Sequence, residues 1–167
     1  FEYYSEDPLL TGKLAGAMVR GIQSQNVAAT VKHFACNNKE TNRKHSDSRL
    51  SQRALRELYL KAFEIVIRED APWAIMSSYN VVNGQRASES RELLTDILRG
   101  EWGYDGMVMT DWWNRGEQYK EILAGSDLKM ANGYPERVRA AMDRGLLSRS
   151  DLEICARHML ELILKID

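Results

Sequence analysis

The stretch LLTDILRGEWGYDGMVMTDWW, residues 93–113, decides the fold. It opens inside a helix expected over about 89–101 and passes Gly100, Gly103 and Gly106. It then enters a short apolar run, about 106–111, before ending on Asp111 and two tryptophans. Helix, glycine-marked turn, then a buried strand is one beat of a βα series. The GxxGxxG spacing is read as the turn into that strand and not as a phosphate-cradling loop.

The same beat recurs on both sides. Upstream, a helix over about 11–25 carries Leu14, Met18 and Ile22 at helical spacing, and a β-branched strand follows over about 27–34. Residues 35–50 are polar, lack a period and read as a long loop. Ser51 is placed to cap a helix reaching about Glu69, whose apolar stripe runs Leu55, Leu58, Tyr59, Ala62, Ile65 and Val66. A second strand over about 73–79 leads into a polar loop at 80–84. Downstream of Trp113 come a helix near 116–124, a short strand at about 127–130, and two closing helices at about 135–144 and 150–166. Pro135 suits a first helical turn, and Ser148 with Asp151 has capping-box spacing. Leu152, Cys155, Met159, Leu162, Ile163 and Ile166 form the expected buried stripe of the last helix.

Strands that each lead into a helix give an α/β protein with a parallel sheet and right-handed crossovers. About four consecutive βα units make half of a (β/α)8 TIM-like barrel, whose usual size is roughly 250 residues. The chain has 167 residues and begins at Phe1, which is not an initiator, so it reads as a piece of a longer protein. An isolated half-barrel would leave apolar strand edges unpaired and should need its missing half.

Composition narrows the function. Lys and Arg number 23 against 24 Asp and Glu, a net charge of -1 that gives no general reason to bind nucleic acid or an anionic membrane. No apolar run approaches the roughly 20 residues of a membrane-spanning helix. Cys36 and Cys155 make neither a disulfide framework nor a metal set and are expected to be free thiols.

Chemistry in a βα array belongs at the C-terminal ends of the strands. That rule selects Lys32-His33, the segment Met76 to Asn80, and Thr110-Asp111-Trp112-Trp113. Asp111 beside two tryptophans suits a sugar, whose C–H faces stack on aromatics while its hydroxyls need charged partners. An Asp at that place is equally able to cap the helix that follows. A lone His at a strand end is, by itself, more often structural.

The blocks FEYYSEDPLLTG (1–12), VKHFACNN (31–38), SQRALRELYLKAFE (51–64), MSSYNVVNG (76–84), LLTDILRGEWGYDGMVMTDWW (93–113) and AGSDLKM (124–130) closely resemble glycoside hydrolase family 3, the β-glucosidase group. They span nearly the whole chain in the family's order. The resemblance implies that residues 1–167 are part of the family's barrel domain, with the rest of the barrel and an α/β sandwich domain lying outside this chain. It implies retaining hydrolysis of terminal β-linked sugars through a covalent intermediate on Asp111. Lys32 and His33 would bind glycone hydroxyls, Tyr79 would hydrogen-bond beside the nucleophile, and Trp112 and Met76 would line the pocket. No metal or organic cofactor is implied. The implied partners are a β-glucoside or related oligosaccharide and the rest of the parent chain.

Some expected parts of the family pattern are missing: a substrate-binding Arg before the first block, an earlier sugar-binding Asp, and the Glu acid/base of the second domain. The family's N-acetylglucosaminidase branch uses a His/Asp dyad after a KHFPGHG-like motif. His45 and Asp47 only superficially resemble that dyad, because the chain here reads KHFACNNKETNRKHSDS. A non-catalytic carbohydrate-binding module on the same fold is the competing reading; an intact Asp111, Lys32, His33 and Tyr79 favour the enzyme. Adjacent strand residues point to opposite faces, so Lys32 and His33 can both reach a sugar only if the strand breaks its pleat. A cis peptide between them is one way to do so.

Overall fold

A computed structural model describes residues 3–167. Phe1 and Glu2, the first two residues of the FEYYSEDPLLTG block, lie outside the described residues. The chain opens with helix α1 (Pro8–Gln23), started by Asp7, whose side chain accepts from the Leu9 and Leu10 amides, and by Pro8 in the first turn. Strand β1 (Thr30–Phe34) follows. A two-residue strand β2 (Asp47–Ser48) and helix α2 (Gln52–Ala54) come next. The Ala54 amide donates to Ser51 Oγ, as the cap position predicts. A π-helical turn, Leu55–Tyr59, joins α2 to α3 (Lys61–Asp70). Strands β3 (Ala74–Ser77), β4 (Val81–Val82) and β5 (Gln85–Arg86) lead to a π-helical segment, Glu92–Glu101, and to β6 (Met107–Thr110). Helices α4 (Gln118–Ala124), α5 (Pro135–Asp143) and α6 (Arg149–Ile166) complete the chain. Among the described residues no helix is long and apolar enough to cross a membrane.

β1, β3 and β6 form a parallel sheet in that order, so the expected βα array is present as a partial barrel. Phe34, Ile75, Val108, Leu94, Ile97 and Leu98 fill the space between sheet and helices and are essentially inaccessible. Phe34 meets the rings of Phe63 and Trp102 edge-on. The pairing of β1 with β3 slips at the expected place: Val31 faces Ile75 but Phe34 faces Ser77, so two residues, Lys32 and His33, stand against one. The Lys32-His33 peptide is cis.

Several expectations are corrected. The strand expected at 127–130 is one parallel bridge, Met109 to Leu128. The Thr110 amide still donates to the Leu128 carbonyl, but the Met130 amide turns to the Thr110 hydroxyl, which ends the ladder. The loop expected over 35–50 contains β2, which pairs in parallel with β4. The loop expected at 80–84 is the start of the β4–β5 hairpin, turned by Asn83 and Gly84 with φ of 49° and 88°.

Two helical stripes rotate. The π turn adds a residue to its helix, so the buried positions become Leu55, Leu60, Ile65, Val66 and Ile67, while Leu58 and Tyr59 face outward. α1 packs on α3 through Gly12, Gly16 and Val19; a Cβ at Gly12 would come within 2.8 Å of the Ile65 Cβ. That close approach leaves Leu14 and Met18 exposed. In α6 the capping box of Ser148 and Asp151 is present, but only Cys155 of the expected stripe is fully buried, and Ile163 and Ile166 are exposed.

Candidate active site

The C-terminal ends of β1, β3 and β6 converge on Asp111. Its amide donates to the Ser77 carbonyl of β3, which fixes where the carboxylate leaves the sheet. The side chain is buried, with 7 % of the residue exposed. Oδ1 accepts from the Trp112 amide at 2.7 Å. Oδ2 lies 3.5 Å from His33 Nε2 and, among the described residues, accepts no hydrogen bond. A carboxylate with one oxygen anchored and the other accepting no hydrogen bond is oriented without being fully satisfied. Buried polar oxygens are ordinarily paired, so this one is chemically conspicuous. The reading of Asp111 as nothing more than a helix cap does not match this geometry, because its amide contact reaches only the next residue and α4 begins at Gln118.

Tyr79 stands beside it and bonds the backbone of the next residue. Its hydroxyl donates to the Trp112 carbonyl at 2.5 Å, with the Asp111 carboxylate as its neighbour. Tyr79 and Asp111 thus hold the two ends of the same residue, one at its carbonyl and one at its amide. Burial, then the neighbouring Asp111 charge, pushes the Tyr79 phenol up to about 12, and it stays protonated through the neutral range. Arg43 and Lys44 flank its ring at 4.8 and 4.9 Å from the centroid. These two cations were missed from the sequence; the basic run Arg43-Lys44-His45 in the loop after β1 was the available signal.

The other expected residues divide. His33 is buried at the carboxylate, and Lys32 is exposed next to it. Both line a groove along β1, α1 and α3 that also takes in Tyr3, Asn37 and Glu40; Asp111, Tyr79 and Met76 do not line it. Trp112 is partly exposed at the rim, whereas Met76 is buried within β3 opposite Met109. His45 is exposed, and Asp47 is engaged by the Gly84 amide and Arg49, which leaves no dyad in that loop. Cys36 and Cys155 are free and buried, and burial pushes both thiols up to about 12. Among the described residues no three His, Cys, Asp or Glu side chains gather to hold a metal ion.

This arrangement can be set beside known proteins. Residues 1–162 match the sequence model described as Glycosyl hydrolase family 3 N terminal domain. Beta-glucosidase A of Butyrivibrio fibrisolvens is 64 % identical over 153 residues, covering 92 % of this chain and 18 % of the relative. An exo-alpha-(1->6)-L-arabinopyranosidase of Bifidobacterium longum is 44 % identical over 99 % of this chain and 22 % of its own length. Beta-glucosidase 3B of Thermotoga neapolitana, solved in complex with alpha-D-glucose, superposes with a TM-score of 0.95 at 41 % identity, over 98 % of this chain and 24 % of that one. The chain thus spans about a fifth to a quarter of the length of these proteins.

Proposed function

The chain belongs to glycosyl hydrolase family 3, and from that premise we propose that it is the nucleophile-bearing part of a retaining β-glycosidase, a β-glucosidase by default. The observation that carries this reading is Asp111: buried, held through Oδ1 by the Trp112 amide, and with Oδ2 accepting no hydrogen bond 3.5 Å from His33 Nε2. Oδ2 attacks the anomeric carbon as the bond to the aglycone breaks, passing through an oxocarbenium-like transition state to a glycosyl-Asp intermediate. Water then releases the sugar. Lys32 and His33 bind the glycone hydroxyls. Trp112 forms a wall for the aglycone, and Met76 backs the pocket.

The acid/base is a carboxyl supplied by another part of the protein, standing about 5–5.5 Å from Asp111. We place the rest of the barrel against the open side of β1, an outer strand of the sheet among the described residues, flanked by exposed apolar side chains of α1. The isolated segment should therefore hydrolyse negligibly.

Trapping tests the reading. A 2-fluoro β-glucoside incubated with the full-length protein should leave a covalent adduct on the peptide containing Asp111. Asp111→Asn keeps an oxygen for the Trp112 amide, so it should fold normally and lose turnover by several orders of magnitude. Near-normal turnover by that variant, or an adduct on a different residue, overturns the assignment. The arabinopyranosidase relative makes aryl α-L-arabinopyranosides the second substrate to assay.

A further inference from the structure

Behind the loop that carries Asp111 and Trp112 lies a buried polar cluster that neither the sequence reading nor the proposed mechanism uses. Lys129, just past the bridge at Leu128, is buried with Glu121 of α4. Its Nζ donates to Glu121 Oε2 at 2.7 Å, to Asn114 Oδ1 at 2.6 Å and to the Gly116 carbonyl at 3.0 Å. Glu121 Oε1 accepts from Ser88 Oγ at 2.9 Å and from Asn114 Nδ2 at 2.7 Å. Asn114 Nδ2 also reaches Ser88 Oγ at 2.9 Å. All three ammonium donors are used and both carboxylate oxygens are engaged, which a buried ion pair requires if it is not to be a liability.

We propose that Lys129 and Glu121 are positioning residues that clamp the Trp112–Gly116 loop and thereby aim Asp111. The chain path supports it. The residues on either side of Lys129 bind the nucleophile strand directly: Leu128 takes the Thr110 amide, Met130 donates to the Thr110 hydroxyl, and the Met130 carbonyl takes the Trp113 amide. Lys129 then grips the far end of the same loop at Asn114 and Gly116. Between the two grips Trp113 has φ of 53°, a conformation a bulky side chain keeps only where its surroundings force it. Gly116 shows how closely the cluster fits: an added Cβ there would fall 2.0 Å from Glu121 Oε1 and 2.9 Å from Ser88 Oγ. The Trp112 amide on Asp111 Oδ1 is thus fixed by a loop held at both ends.

This inference rests on Asp111 being the nucleophile, and the test separates the two. In the full-length protein, replacing Lys129 alone leaves Glu121 buried and unpaired and risks the fold. The working variant is therefore the double change Glu121→Gln with Lys129→Met, which removes both charges together. Gly116→Ala, which leaves both charges in place, is the independent second variant. Two quantities are read: the rate constant for inactivation by 2,4-dinitrophenyl 2-deoxy-2-fluoro-β-glucoside, and the inhibition constant of glucose. In the first, the Asp111 Oδ2–C1 bond forms as the aryl C1–O bond breaks, its electron pair leaving on dinitrophenolate. Misaim slows that step about tenfold or more in both variants, while glucose inhibition, which depends on Lys32 and His33 across the sheet, stays within about twofold. Folded variants that inactivate at the wild-type rate overturn the clamp, and so does a proportionate loss in both quantities, which marks general loosening. Wild-type protein that labels anywhere but Asp111 overturns the underlying reading instead.

Discussion

Tyr79→Phe separates two roles for the tyrosine beside the nucleophile. If the phenol donates to Asp111, removing it withdraws a stabilising hydrogen bond from the carboxylate, and the acid limb of the kcat/KM profile moves to higher pH. The structure gives the proton to the Trp112 carbonyl at 2.5 Å. On that geometry the substitution strips a donor from a part-buried backbone acceptor, a loss of about 1–2 kcal/mol. The ring remains, so its contacts with Arg43 and Lys44 survive. If all of the loss reaches the transition state while the Trp112 amide stays on Asp111 Oδ1, kcat/KM falls by about 5- to 30-fold. The acid limb stays where it was. The assay is the pH dependence of kcat/KM for an aryl β-glucoside, wild type against variant, in the full-length protein. An acid limb displaced upward by about one pH unit refutes the reasoning, because it means that Asp111 has lost a hydrogen-bond donor.

Lys32→Met should raise the inhibition constant of glucose by about tenfold or more, since a hydrogen bond from a charged donor is worth roughly 1.5–3 kcal/mol; an unchanged constant removes Lys32 from the glycone site. The two thiols should be silent to a disulfide reagent at pH 8 in the native protein and react only after denaturation. Burial raises both from 9.0 to about 12, so the stability tied to keeping them neutral is complete below pH 9 and is lost as pH climbs toward 12. Labelling of either within minutes at pH 8 contradicts this. Ser148→Ala should speed amide exchange in the first turn of α6 roughly fivefold, the equivalent of a cap worth about 1 kcal/mol. The Ser148 hydrogen bonds hold the Asp151 carboxyl below its usual value of 3.8, so the box keeps full strength at neutral pH and weakens only in acid below that value.

Much of the fold was legible because its signals are local. Ser51, Ser148 and Asp151 each cap a helix start within three residues of themselves. The apolar runs ending at Phe34, Ser77 and Thr110 are short and bounded by turn or loop residues, which suits strands more than helices. What misled was burial assigned from spacing alone. Leu14 and Met18 sit at helical spacing, yet the face that packs is the one bearing Gly12 and Gly16, since bare backbone lets α3 approach. The stripe through Leu58 and Tyr59 assumed one constant period, and a single π turn moved it.

The sequence by itself determined the βα order and put Asp111 at the end of a strand beside aromatics, because period, caps and turn residues act over a few neighbours. Only the tertiary structure decided who satisfies each buried polar group. The Tyr79 hydroxyl found the Trp112 carbonyl, 33 residues away. Lys129, Glu121, Asn114 and Ser88 found one another across four segments that share no local pattern. A polar atom taken out of water must bond whatever the fold brings within about 3 Å, and that choice is made by packing, not by position along the chain.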